Sequence, residues 1–386
     1  MPLPLFALFI TAFAIGTTEF VVSGLLPQIS SDLQVDIPAA GLLVTGYALG
    51  VAVGGPIMAI ATSRLGRKPA LLVLAGIFVG ANLLCALSGS YAVTLIARIM
   101  NAFAHGAFYG IASVVAANLV PDNRRARAVA LIGAGVTLAN ILGVPGGTAL
   151  GQALGWRSTF WAITGAGLVA MVAMVMWLPS TGSGQPMRLM AEVRALWRPR
   201  VLLGLWMCLL FCTGMFGLYT FIAPLLVEVS GLSDSQVPIA LLVFGAGATI
   251  GILLSGRLAD WRLELSIMLI FAAQAAVHLG FVLFGGGAAT VYVLMFLLGG
   301  VGMAAVAPLK TYVLNAARDA PSLASTLTSS TLNLGVAVGA TICAAALATG
   351  VSYARLPWLG VACSLAGLAT MLLAGSRQSR IEQGAT

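Results

Sequence analysis

Apolar runs of about 20 residues or more follow one another along the whole chain, at roughly 4–27, 38–62, 69–88, 91–119, 127–150, 158–178, 201–227, 237–257, 265–286, 289–313, 322–348 and 355–375. Each is long enough to cross about 30 Å of hydrocarbon as a helix. No water is present in lipid to satisfy backbone N–H and C=O groups, so a spanning segment must close its own hydrogen bonds. The runs lack the polar–apolar alternation of a lipid-facing barrel strand, which leaves helices. Composition agrees: 60% of residues are hydrophobic and 8% charged, against roughly 25% charged in soluble domains. The expected fold is all-α and integral to the membrane, with twelve transmembrane helices. The first run is too long, and too short of N-terminal positive charge, for a cleaved signal peptide.

The net charge of +8 raises nucleic acid or an acidic substrate as partners, but the placement of the charges argues for topology instead. Arg64, Arg67, Lys68, Arg124, Arg125, Arg127, Arg188, Arg194, Arg198, Arg200, Arg257, Arg262, Arg318, Arg377 and Arg380 all fall on one alternating set of connections. The opposite set holds Arg157 and Arg355, beside the acids Asp32, Asp36, Glu228 and Asp234. This positive-inside bias puts both termini in the cytoplasm, and no nucleic-acid partner is expected.

The five cysteines lie inside apolar runs, and their odd number argues against a disulfide framework. His105 and His278 stand on different helices without Cys or acid neighbours, so neither a metal site nor a cofactor is expected. The glycine-rich stretch from Gly133 to Gly147 is transmembrane, where small residues serve close helix packing rather than phosphate binding. An enzyme working at membrane depth would need a nucleophile, a metal or a pair of acids. One buried acid is present, Glu19, so an enzyme is not expected.

The longest polar connection, residues 180–200, separates six runs from six. This predicts a bundle over 1–179, a cytoplasmic linker over 180–200 and a second bundle over 201–386. Pro27 closes the first run, and Pro224 takes the matching place 197 residues later; Ala59 and Ser63 match Gly256 and Asp260 at the same offset. Two six-helix pseudo-symmetric halves around a central cavity are the architecture of many secondary transporters.

Several stretches carry a family likeness. "ATSRLGRKPALL" resembles the signature of the major facilitator superfamily between its second and third helices. "ARIMNAFAHGAFYG" resembles the fourth-helix motif with its buried arginine, here Arg98. "GAGVTLANILGVPGGTALG" resembles the fifth-helix antiporter motif, with Gly143, Pro145 and Gly147 at its core; the resemblance makes these gating residues whose bend limits proton leak, the alternative being ordinary close packing. "GTTEF" and "TLNLGVAVGA", the latter containing Asn333, fit the drug:proton antiporter branch that includes arabinose and nucleoside efflux permeases. The resemblance implies a monomeric, multi-pass carrier of the bacterial inner membrane that exports a small organic compound in exchange for protons by alternating access; the alternative is a symporter importing a small metabolite. In the first signature Ala59 and Ser63 stand where the family has Gly and Asp, while the second half keeps Gly256 and Asp260. Ser63, Arg64, Arg67, Lys68, Gly256 and Asp260 are therefore read as a cytoplasmic gate, or Arg64, Arg67 and Lys68 as anchors of topology alone.

An ionised carboxylate in hydrocarbon costs several kcal/mol or more, so Glu19 needs a partner or a use. Either it forms a static salt bridge with Arg98, or it alternates between a proton and Arg98 or substrate. His105, two turns after Arg98 on nearly the same face, is either a packed histidine or a relay. Asn140 is either an interhelical hydrogen bond or a substrate contact. Phe20, Tyr47, Phe103, Phe108, Tyr109, Phe216, Tyr219 and Phe221 fall on spans that line the cavity in the family. Each is either ordinary packing or, as a set, part of a pocket for a semi-apolar substrate, for which Tyr47, Asn140 and Asn333 are the polar candidates. For the topology, single cysteines at Ser31 and Ser233 in a cysteine-free background should react with an impermeant thiol reagent from outside. One at Ser183 should not, and the reverse pattern would overturn the orientation.

Overall fold

The computed structural model describes residues 3–121, 124–179, 198–317 and 321–383. The expected linker falls on residues outside these apart from Arg198, Pro199 and Arg200, as do Arg188, Arg194 and Arg318. Helices account for nearly all of the rest: α1 (Leu3–Leu33), α2 (Ile37–Thr62), α3 (Arg67–Leu87), α4 (Tyr91–Asn118), α5 (Arg125–Leu138), α6 (Val144–Leu154), α7 (Trp156–Trp177), α8 (Pro199–Thr220), α9 (Ile222–Glu228), α10 (Val237–Trp261), α11 (Leu263–Phe284), α12 (Ala288–Ala304), α13 (Val306–Ala316), α14 (Pro321–Ala348) and α15 (Pro357–Gln383). Among the described residues, 12 helical stretches are long and apolar enough to cross a membrane; α5–α6 and α12–α13 each form one of them.

The prolines place the breaks differently from the sequence expectation. Pro27 does not end the first span. It lies inside α1, which continues to Leu33 and so puts Glu19 near the middle of the helix. The seventh run does break, at Phe221, because the ring of Pro224 meets the carbonyl four residues back, that of Thr220. Pro308 has the same effect on Ala304, where α12 gives way to α13.

By contact the chain forms two compact units: residues 1–187 with 220–245, and residues 188–219 with 246–386. Residues 220–245 belong with the first because of glycines there. Gly41 on α2 leaves room for the Phe221 ring, and Gly24 on α1 receives both Thr148 and Leu241.

Within the first unit, α1 lies along α5–α6 at near-backbone distance. A Cβ on Gly135 would stand 2.7 Å from the Phe9 carbonyl oxygen, on Gly147 2.9 Å from Val21 Cγ2, and on Gly151 2.6 Å from Leu25 Cδ2; on Gly143 it would meet Thr17 Oγ1. These residues recur at intervals of four or multiples of four, a stripe that drifts about 40° per step around a helix of 3.6 residues per turn. A π turn at Ala139–Gly143, closed by the Val144 N–H on the Ala139 carbonyl, sits in the middle of the stripe. Its wider turn takes up part of the drift and keeps the later glycines on α1.

Polar contacts fix the ends of this unit. Asp36 caps α2 by accepting from the Ala39 N–H at 2.8 Å. Arg157 donates to Asp32 at 2.6 Å and to the Ser88 carbonyl at 2.7 Å, and the Trp156 indole N–H donates to the same Asp32 oxygen at 3.1 Å. That clamp ties α1, the α3–α4 turn and the start of α7 together. At the opposite end Lys68 Nζ donates to the Val175 and Leu178 carbonyls at 2.8 and 2.5 Å, satisfying orphan acceptors at the C-terminus of α7 with a favourable charge.

The second unit has its own core of Phe211, Phe271, Met207, Cys208, Leu309 and Val313, with the two phenylalanines edge to face at 5.9 Å. Gln274 donates to the Phe211 carbonyl at 3.0 Å, and His278 sits between the Gln274 and Gly214 carbonyls at 2.8 and 3.2 Å. These bonds tie α11 to α8.

The glycine stripe makes a paired prediction. Gly135→Ala should destabilise the detergent-solubilised protein by about 1–3 kcal/mol through overpacking. Gly133→Ala, whose Cβ would meet nothing within 4 Å, should be neutral or slightly stabilising because Ala is the better helix former. Thermal unfolding followed by a thiol-reactive dye would read both.

Candidate functional site

Arg98 on α4 is a charged group of the first unit with no exposure at all. Charge burial of this kind requires directed partners. Arg98 Nη1 donates to the Thr18 carbonyl at 2.6 Å and Nη2 to the Glu19 carbonyl at 3.4 Å, while the guanidinium lies 4.1 Å from the centroid of the Tyr47 ring. The arginine therefore grips the backbone of α1 at the acidic residue and leaves the carboxylate itself uncommitted. Among the described residues Glu19 forms no ion pair within 4.0 Å, so the static salt bridge is not the arrangement found here.

Around this contact lies a polar cluster drawn from four helices. Thr18 donates to Asn82 Oδ1 on α3 at 2.9 Å and accepts from Asn101 Nδ2 on α4 at 3.4 Å. Asn82 Nδ2 is spent on the Phe78 carbonyl at 2.8 Å. The Tyr47 hydroxyl on α2 meets His105 Nδ1 at 2.9 Å. The His105 ring stands edge-on to Tyr109 at 5.1 Å, and Tyr109 is edge-on to Phe108 at 5.7 Å. The Tyr109 hydroxyl donates back to α1 at the Ala12 carbonyl, 3.2 Å away. Arg98 Nε and Asn101 Oδ1, three residues apart on α4, are buried without a hydrogen-bond partner among the described residues.

The structure thus gathers Glu19, Tyr47, Arg98, His105, Phe108 and Tyr109, all named from the sequence, into one cluster; half-buried Phe20 follows Glu19 on α1. Thr18, Asn82 and Asn101 belong to the cluster and were missed. Their signal was present: each is a polar residue inside an apolar run, and Asn101 shares a face with Arg98. Asn140 is buried, and its side chain donates to the Val136 carbonyl of its own helix at 3.1 Å, beside the π turn. Phe216, Tyr219 and Asn333 belong to the second unit. The two rings there are edge to face at 6.0 Å, and Asn333 donates to the Ser329 carbonyl at 3.1 Å.

The gate residues divide. Ser63 ends α2 with its hydroxyl on the Ile60 carbonyl at 2.7 Å, and Lys68 is engaged at the end of α7. Gly143 and Gly147 pack on α1, and Pro145 opens α6 just after the π turn. Gly256 and Asp260 are exposed, and among the described residues Arg64, Arg67 and Asp260 form no ion pair.

Comparison with known proteins places these features. The sequence profile of the Major Facilitator Superfamily matches residues 8–340. The chain is similar to the inner membrane transport protein YdhP of Escherichia coli (strain K12), at 38% identity over 379 residues, 98% of this chain and 97% of that protein. It is similar at 35% identity over 363 residues, 90% of each, to the chloramphenicol resistance protein of Streptomyces lividans. In fold it resembles a bacterial homologue of the human lysosomal transporter Spinster in an inward-facing, unoccupied conformation, with a TM-score of 0.72 at 16% identity, covering 97% of this chain and 95% of that one.

The geometry of Arg98 predicts that charge alone is insufficient at this position. A lysine has no planar fork to serve two carbonyls and stack on a ring at once. Arg98→Lys should lower the unfolding midpoint in detergent, with a loss of about 2–4 kcal/mol. Tyr47→Phe, which keeps the ring under the guanidinium and removes only the hydroxyl facing His105, should cost about 1 kcal/mol.

Proposed function

Because the chain belongs to the major facilitator superfamily of multi-pass membrane transporters, and is a carrier rather than an enzyme, we propose that it exports a small organic compound across the bacterial inner membrane in exchange for protons. In this reading the bundles of residues 1–179 and 201–386 rock about the substrate, both termini are cytoplasmic and the working unit is a monomer. The observation that carries it is the separation of roles at Glu19: Arg98 holds the backbone of that residue, so the carboxylate can take up and release a proton without the helix contact being broken.

The sequence of events follows from that division. A protonated Glu19 is neutral and tolerates a closed, apolar surrounding. Opening to the cytoplasm hydrates the carboxyl, releases the proton and lets the charged form meet substrate or the nearby Arg98, Tyr47 and Tyr109. The Tyr47–His105 contact couples α2 to α4 beside this group and makes His105 the next proton-carrying candidate. Phe20, Phe108 and Tyr109, with Phe216, Tyr219 and Asn333 of the second unit, supply apolar area and a few directed bonds for a semi-apolar compound. Drug-like, sugar and nucleoside-like compounds all fit that description. The relative named for chloramphenicol resistance makes that compound the first to test. One proton crossing 100 mV supplies about 2.3 kcal/mol, enough for a useful gradient of a neutral substrate.

Ser63, Arg64, Arg67, Lys68, Gly256 and Asp260 serve the cytoplasmic gate in this scheme. The tight α1–α5/α6 contact around Gly143, Pro145 and Gly147 limits proton leak. Overexpressing cells screened for susceptibility would identify a substrate, and flux in proteoliposomes would follow. Glu19→Gln should abolish export driven by an imposed proton gradient while retaining substrate binding and energy-independent exchange. Full proton coupling in that variant would assign the proton elsewhere, and substrate accumulation driven by inward proton flow would make the protein a symporter.

A further inference from the structure

On the second unit, α10, α11 and α12 enclose a groove of about 330 Å³ whose lining is apolar. It arises where two backbones approach without side chains between them: a Cβ at Gly247 would meet the Phe296 carbonyl, and one at Gly251 the Gly300 carbonyl. Ala273 and Ala304, both small, line it as well, so a trough is left beside the crossing. The single hydroxyl in its lining, that of Ser266, is donated to the Leu258 carbonyl at 2.7 Å and offers nothing to a polar ligand. Leu254 and Leu269 on its walls are 42% and 50% exposed, so the trough opens outward onto hydrocarbon.

One end of the groove is different. Trp261 is three residues after Leu258 and seven after Leu254, both of which line the groove, so it stands on the same face of α10. It is exposed, and the Arg262 guanidinium lies 6.0 Å from its ring centroid. Arg257, three residues after Leu254, flanks that face and is also exposed. Of the nearby acids, Glu264 is two residues from Ser266 and so about 200° away around α11. Asp260, by contrast, follows Arg257 by three residues on the same side of α10 and offsets its charge, which leaves Arg262 as the net cation of the rim. An aromatic ring at the level of the headgroups with an arginine beside it is the chemistry that recognises an anionic lipid head.

We propose that this groove binds one acyl chain of an anionic phospholipid, with its phosphate on Arg262 at the α10–α11 turn. The site is built from residues of the second unit alone. Native mass spectrometry of the full-length protein in detergent, titrated with phosphatidylglycerol or with phosphatidylethanolamine of the same chains, tests it. One phosphatidylglycerol should be retained about fivefold better than phosphatidylethanolamine, the factor that one basic residue contributes near an anionic head. Arg262→Gln, on the exposed rim, should bring phosphatidylglycerol down to the level of phosphatidylethanolamine with the unfolding midpoint unchanged. Ala273→Phe should fill the groove and remove the preferred adduct. Equal retention of the two lipids by the unaltered protein, or preferential retention of phosphatidylglycerol surviving either substitution, overturns the proposal.

Discussion

A guanidinium with no access to solvent, in the middle of an apolar bundle, constrains everything around it. Its charge cannot be shed, since arginine stays protonated, and its desolvation must be offset by partners of fixed geometry. Here those partners are two adjacent carbonyls of α1 and the face of Tyr47. Each carbonyl has a second lone pair left over from its helical hydrogen bond, so the contact costs α1 none of its own structure. The bond fixes α4 against α1 at one level and one rotation, and it fixes which side chain, that of Glu19, stands next to the charge without being consumed by it. Thr18, Asn82 and Asn101 complete the arrangement from α1, α3 and α4.

The second constraint is distance. Helices in lipid gain little from burying apolar side chains against one another, because the surrounding chains are as apolar as leucine; close backbone approach and directed bonds carry the association. The α1–α5/α6 contact is of this kind, with Gly135, Gly143, Gly147 and Gly151 placed where any side chain would collide. The same device recurs in the second unit at Gly247 and Gly251, where it leaves a trough open to the hydrocarbon. One packing rule thus produces a filled contact in one place and an open groove in another. The difference lies in what the neighbouring helix presents: Thr17, Val21 and Leu25 fill the space along α1, whereas the Gly247–Phe296 and Gly251–Gly300 crossings are bare backbone.

The two units do not share these polar devices. The first carries Glu19, Arg98 and the tyrosines; at the matching offset the second has Phe216 and Met295. Its buried polar pair is Gln274 with His278, directed at the carbonyls of α8. Among the described residues the buried charge, Arg98, therefore stands in the first unit.

What the sequence determined by itself was everything that depends on local length and solvent preference. Twelve apolar runs dictated twelve spanning helices because backbone groups in lipid have no other way to be satisfied, and Glu19, Arg98, Tyr47 and His105 were legible as polar residues that such a medium would not hold idly. Proline was less legible: Pro224 and Pro308 end helices, but Pro27 sits inside α1, since the outcome depends on whether the freed carbonyl and the ring find room. Only the tertiary structure decided which oxygen of residue 19 the arginine would take, because the carbonyl and the carboxylate of one residue are the same letter in the sequence and differ only in the direction from which α4 arrives. It decided likewise that Lys68 ends on α7, that Asn140 turns back on its own helix, and that of two neighbouring glycines, Gly133 and Gly135, one faces open space and the other the backbone of α1. Composition sets what must be satisfied; the angle and distance between helices set by what.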